Sequence, residues 1–212
     1  IMKFKVINID GKKANDIELS DKIFSLKPNE YVIQSLVDWQ LNHLKPRTAK
    51  TKQKNEIKGS TRKIVPQKGS GGARHASRKA PIFVGGGVAH GPKGAVYKIK
   101  KINKKVRKLA LAHTLTKKNS DKNLFILTDV KKEIKKTKEF NNFLKTNNLL
   151  NVVIISDLET LKNIHKSARN IKDLKIINDA GANIYDMMKY KNVLLTQSSV
   201  KNLEKRILNE KN

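Results

Sequence analysis

Residues 152–159 read Val152-Val153-Ile154-Ile155-Ser156-Asp157-Leu158-Glu159. Four β-branched residues in succession, with no polar residue to alternate with them, describe a strand buried on both faces. Ser156 and Glu159 then have the spacing of a capping box, in which each side chain bonds a free backbone N–H at a helix start. The strand is therefore expected to run straight into a helix from Asp157 to Asn170. The carboxylates of Asp157 and Glu159 serve that helix start and need no acid–base role.

Working outward, the same rhythm repeats. Leu124 to Leu127 is a short apolar run, followed by an amphipathic segment from Lys131 to Asn147. Leu174 to Ile177 and Val193 to Leu195 supply further buried strands, separated by a short helical stretch from Asn183 to Lys189. Val200 to Leu208 closes as an amphipathic helix. Alternation of this kind is the signature of βαβ units, so the fold class is α/β with a small, mainly parallel sheet between helices.

Towards the N-terminus, Phe4 to Ile9, an Asp10-Gly11 turn and Asp16 to Leu19 read as a β-hairpin. Asn29 to Leu44 carries Val32, Ile33, Leu36, Val37 and Leu41 at helical spacing, with Trp39 alongside. Lys104 to Lys118 places Val106, Leu109, Ala110 and His113 on one face of another helix. These pieces compose a discontinuous domain of residues 1–43 and 102–212, interrupted by residues 44–101.

The interruption is where the charge sits. The chain of 212 residues carries a formal net charge of +28, with 46 Lys or Arg against 18 Asp or Glu. Residues 1–43 are neutral, with six of each sign, whereas residues 44–101 hold sixteen basic residues against Glu56 alone. Nine of the eleven glycines fall between Gly59 and Gly94. Such a stretch has no apolar period and cannot offset the entropy of ordering its glycines, so in isolation it is expected to be disordered. Excess charge of this size calls for a polyanion, and nucleic acid is the first candidate. A membrane is not, because the longest apolar runs fall far short of a spanning helix. The absence of cysteine excludes disulfides, thiolate zinc sites and cysteine nucleophiles. The first residues lack a secretory signal, which leads to the expectation of a cytoplasmic protein.

Within the interruption, residues 67–81 read Gln67-Lys68-Gly69-Ser70-Gly71-Gly72-Ala73-Arg74-His75-Ala76-Ser77-Arg78-Lys79-Ala80-Pro81, with Gly85-Gly86-Gly87 and His90-Gly91-Pro92 shortly after. Cations neutralise phosphates and release counterions, and Arg can also bond phosphate bidentately or stack on a base. Glycines let backbone approach phosphate closely. The candidate RNA-binding cations are Arg47, Lys50, Lys52, Arg62, Lys63, Lys68, Arg74, Arg78, Lys79 and Lys93, continuing into Lys104, Lys105 and Arg107 of the following helix. The candidate close-approach glycines are Gly69, Gly71, Gly72, Gly85, Gly86 and Gly87, and His75 and His90 complete the set. No recognition helix for a DNA groove lies here, which favours crevices of folded RNA. A flexible Gly/Lys linker is the plain alternative, but linkers seldom keep an apolar cluster such as Pro81, Ile82 and Phe83.

Other chemistries fit poorly. Gly86 to Gly91 with Pro92-Lys93 lacks the Gly-Lys-Ser/Thr ending of a phosphate-binding loop, and Arg74 stands where a dinucleotide fingerprint needs glycine. The five histidines show no metal-ligand spacing, and His113 and His165 read as packing residues. Cofactor, metal and catalytic residues are all expected to be absent.

Arg62-Lys63, the run from Gln67 to His75, Ser77-Arg78 with Pro81, Gly85-Gly86-Gly87 and Gly91-Pro92 together resemble the bacterial large-subunit ribosomal protein L4 family. The helix from Lys104 to Leu111 is similar to the one that returns that family's loop to its globular domain, and the likeness spans essentially the whole chain. The resemblance implies a three-layer α/β/α domain and an extension reaching through large-subunit (23S) rRNA to the wall of the nascent-peptide exit tunnel. It also implies a role in early subunit assembly, neighbouring large-subunit ribosomal proteins, and a nascent peptide in transit past the loop. Lys68, Gly69, Ser70, Gly71, Gly72, Ala73 and Arg74 match the tunnel-proximal part of the motif. The chain departs from the family pattern at Val65 and Pro66, where an aromatic and a basic residue are common, at Gly72 in place of Arg, and at Ala76 in place of Gly. A free RNA chaperone or regulatory RNA-binding protein is the second reading.

Overall fold

The computed structural model describes residues 2–9, 16–94 and 101–208. The elements run β1 (Met2–Phe4), β2 (Val6–Ile7), β3 (Ile17–Leu19), α1 (Asp21–Phe24), α2 (Glu30–Leu44), α3 (Lys104–Ser120) and β4 (Leu124–Leu127). They continue through α4 (Thr137–Thr146), β5 (Val152–Ser156), α5 (Leu158–Ala168), β6 (Leu174–Asn178), α6 (Ile184–Lys189), β7 (Asn192–Thr196) and α7 (Gln197–Leu208). By internal contacts the chain divides into two compact units, residues 1–41 with 101–212, and residues 42–100.

The first unit is built on a five-stranded sheet in the order β2-β4-β7-β5-β6. Every pairing in it is parallel, with Ile154 of β5 in register with Ile176 on one side and Leu194 on the other. Strand alternation sends successive side chains to opposite faces. Leu124, Ile126, Val153, Ile155, Val193 and Leu195 face a core completed by α1, α2, α3, α6 and α7, through residues such as Phe24, Leu36, Leu115, Met187 and Leu203. Leu127, Val152, Ile154 and Leu194 face a second core with Phe140, Phe143 and Leu144 of α4 and Ile164 and Ala168 of α5. Helices therefore cover both faces, giving the three-layer α/β/α arrangement. From β4 the chain crosses outward to β5 and β6 with α4 and α5 on one face, then returns to β7 with α6 on the other. A constant crossover hand requires that change of face.

Several local expectations shift. The N-terminal hairpin is shorter than the sequence suggests: only Met2–Phe4 pairs antiparallel with Ile17–Leu19, while Val6 and Ile7 join β4 in the main sheet. Val6 packs into one core and Ile7 against the other, which a solvent-facing hairpin could not satisfy. The Asp10-Gly11 turn lies outside the described residues. On α5 the helix cap is Asp157, whose carboxylate accepts from the Thr160 N–H, and Ser156 instead ends β5 fully buried. The apolar face read for α3 also rotates. Leu109 is half-exposed, and from Ala110 to Thr116 the helix is buried on all sides, with Thr114 and Thr116 hydroxyls donating to the carbonyls of Ala110 and Ile23 at 2.8 and 2.7 Å. Finally, α4 begins at Thr137 instead of Lys131. Residues 130–134 are tied to α5 instead, with Asn163 Nδ2 donating to Val130 O at 2.7 Å and the Ile134 N–H donating to the Asn163 main-chain carbonyl at 3.1 Å.

Candidate nucleic-acid interface

The second unit holds most of the cations singled out above. The sequence predicts disorder here, yet residues 47–94 carry their own backbone scaffold. Lys50 and Lys93 form an antiparallel bridge. Around it Thr51 N donates to Pro92 O (2.9 Å), Gly94 N to Ala49 O (2.7 Å) and Val88 N to Lys52 O (2.9 Å). Beyond this stem a chain of turns follows, with Ala80 N donating to Ser77 O, Phe83 N to Ala80 O and Gly86 N to Phe83 O, all at 3.0–3.1 Å. Gly87 N closes it onto Lys79 O at 2.9 Å, and Ile64 N onto Ala76 O at 2.8 Å. The His75 and Phe83 rings meet at 5.1 Å, tilted by 59°. Glu56, the one acid, folds back to accept from the Gln53 N–H at 3.2 Å and lies 3.8 Å from Lys50.

What makes the scaffold possible is glycine at points of contact. A Cβ on Gly87 would stand 2.3 Å from Lys54 N, and one on Gly86 would stand 2.0 Å from Ala80 O. Gly87 is buried, so its close approach is to the loop itself. Gly69 and Gly71 are different. They sit at φ +85° and +65°, and a Cβ on either would meet nothing within 4 Å, so the tip from Lys68 to Arg74 is open to a partner.

Each expected site residue can now be placed. Arg47, Lys50, Lys52, Arg62, Lys63, Lys68, Arg74, Arg78, His90 and Lys93 are exposed, as are Gly69, Gly71, Gly72 and Gly85. His75, Lys79 and Gly86 are half-buried in the scaffold. Lys63 is tethered to Gln67, its ammonium 2.8 Å from Oε1. On α3, in the first unit, Lys104 and Lys105 are exposed, but Arg107 lies 4.5 Å over the Trp39 ring and donates to Ile102 O at 3.2 Å. That cation–π contact ties Arg107 to α2. Exposed apolar residues of this unit that sequence reasoning did not single out include Ile64, Val88 and Val84, the last fully exposed beside Phe83. No group of three or more His, Asp or Glu among the described residues could hold a metal ion, and none of their helices is long and apolar enough to cross a membrane.

A parallel α/β/α domain with a long, internally bonded, cation-rich and glycine-rich insertion is thus the class of protein defined here. The ribosomal protein L4/L1 family model matches residues 17–206. Large ribosomal subunit protein uL4 of Pelagibacter ubique is 50% identical over 206 residues, covering 97% of this chain and 99% of that one. The uL4 proteins of Hyphomonas neptunium and Desulforapulum autotrophicum are 36% and 40% identical, over 97% and 95% of this chain and 96% of each relative. The chain belongs to the ribosomal protein L4/L1 family.

Proposed function

We propose that this chain is a structural, non-enzymatic constituent of the large ribosomal subunit that binds large-subunit rRNA. Residues 1–43 and 102–212 act as the globular part and residues 44–101 as the extension that penetrates RNA, in a ribosome of the cytoplasm. The observation that carries this reading is the open, glycine-flanked tip from Lys68 to Arg74, presented by a scaffold whose exposed charged side chains are Lys and Arg with the single exception of Glu56. Lysine and arginine there neutralise phosphates, while the bare backbone of Gly69 and Gly71 packs against ribose and phosphate where a side chain could not. Binding contributes to early subunit assembly, places the tip in the wall of the peptide exit tunnel beside the nascent chain, and brings the α/β domain against neighbouring ribosomal proteins. The names of the curated relatives support the assignment to the large subunit.

Sedimentation of cell extract through high salt tests the reading. The chain is expected to travel with large subunits, and recovery only in the soluble fraction would favour a free RNA chaperone or regulatory RNA binder instead. Replacement of Lys68 by Glu should alter chemical footprints in the tunnel wall, and unchanged footprints there would remove the tip from that position.

A further inference from the structure

The insertion of residues 44–101 hangs on two chain ends, the last turns of α2 and the start of α3. By its own sequence the start of α3 is weak. Lys104-Lys105-Val106-Arg107-Lys108 carries four cations and no acid, and cations at a helix N-terminus oppose the helix dipole. Asn103, at the cap position, makes no side-chain hydrogen bond to the N–H groups that the first turn leaves free. Contacts from outside the turn hold it instead. Ile102 is half-buried against the core shared by α2 and α3. Arg107 adds the second contact: its guanidinium lies 4.5 Å from the centre of the Trp39 ring, and its Nη2 donates to Ile102 O at 3.2 Å.

The end of α2 is fastened over the same stretch. Trp39 is half-buried and packs against that core. Its neighbour Gln40 accepts from the Tyr185 N–H of α6 at 2.9 Å, which satisfies one of the N–H groups left free at a helix start. A single side chain therefore touches both ends of the insertion. The face of the Arg107 guanidinium meets Trp39 where the chain departs, and its edge meets Ile102 where the chain returns. A planar, delocalised cation can make both contacts at once, whereas an ammonium acts as a point charge.

We propose that Arg107 and Trp39 form an anchor joining the two ends of the RNA-binding insertion, so that Arg107 acts as a positioning residue and not as a phosphate contact. This rests on the ribosomal-RNA reading given above. Ends held together before RNA arrives lower the entropy lost when the insertion is ordered on its partner.

The test measures binding of the full chain to an in vitro transcript of large-subunit rRNA across a salt series. Arg107→Gln, at an exposed position, should keep cooperative thermal unfolding and weaken binding about two- to five-fold, the equivalent of one exposed cation–π contact. The slope of log affinity against log salt should match that of the intact chain, because no phosphate contact is lost. Trp39→Leu removes the ring without changing charge and should weaken binding to the same extent, while Trp39→Phe should recover most of the loss. Combining Arg107→Gln with Trp39→Leu should cost no more than the weaker single variant, since both remove one contact. In the free protein, amide exchange over the first turns of α3 should quicken in Arg107→Gln and stay unchanged in the central strands.

A slope that falls by about one in Arg107→Gln, or losses that add in the double variant, would assign Arg107 to a phosphate and overturn the anchor. Unchanged affinity in Arg107→Gln would overturn it as well, leaving the stack a contact of the fold alone. Should Trp39→Leu not fold, the affinity, slope and exchange pattern of Arg107→Gln decide. Absence of saturable binding by the intact chain would remove the ribosomal-RNA reading and the anchor with it, whereas a changed slope removes only the anchor.

Discussion

The α/β domain and the basic loop solve the problem of holding a backbone in place by opposite means. In the domain, Ile154, Val153, Ile126 and Leu194 are completely buried between helices, and burial of such side chains contributes about 1.5–3 kcal/mol each. Among residues 44–94 the buried ones are Ser77, Gly87, Gly91 and Gly94, none of them a large apolar side chain. The loop is held instead by backbone hydrogen bonds across contacts that only glycine permits. A region stabilised by side-chain burial tolerates little change in its interior but needs nothing outside itself. A region held by backbone contacts leaves its side chains free for a partner.

The contrast can be broken at several points. Ile154→Ala, in the central strand, should cost about 2–5 kcal/mol in chemical denaturation while leaving loop chemistry intact in the folded fraction. A loss below about 1 kcal/mol would mean that the sheet is not the stabilising centre. Asp157→Ala removes the carboxylate that caps α5 and should cost about 1 kcal/mol. Asp157→Asn should restore most of it, which separates capping from simple charge loss. Smaller still is the acid limb of stability. The partner Lys166 lowers the Glu133 pKa, so this pair stabilises the fold above the unfolded-state pKa and loses its contribution as pH falls through the lowered folded value. Glu133→Gln should flatten that limb slightly, lowering stability a little near neutral pH and leaving it almost unchanged in acid. At the bottom of the scale, Gly71→Ala should leave thermal unfolding of the domain unaltered. It would strain the φ +65° tip and weaken RNA binding only.

Much of this architecture was legible beforehand because apolar runs report burial directly. The strand at Val152 to Ile155 and its flanking helices follow from β-branched runs and helical spacing, and the parallel sheet follows from their alternation. Less visible were features that depend on partners remote in sequence. Val6 and Ile7 leave the hairpin because β4, more than a hundred residues later, offers a two-faced position. Lys118 is an ordinary lysine in the chain, yet it is largely buried and donates to the carbonyls of Tyr190 and Lys191 at 2.8 and 3.0 Å, with burial lowering its pKa. The contact of Arg107 with the Trp39 ring, at 4.5 Å, likewise gives no signal in the sequence. The candidate site was legible as a composition, but not as an arrangement. Gly69 and Gly87 look alike in sequence, and only the fold separates an open tip from a packed stem. The lysine run after β4 reads as a helix because its apolar spacing permits one, while the hydrogen bonds that tie Val130 and Ile134 to Asn163 give no sequence signal.

The division of labour between the two regions is tested most directly by footprinting large-subunit rRNA with the intact chain and with a chain lacking residues 60–95, both checked for cooperative thermal unfolding. The deletion should unfold as cooperatively as the intact chain and lose the protections in the tunnel wall. A full set of protections without the loop, or loss of cooperative unfolding on its removal, would contradict the account.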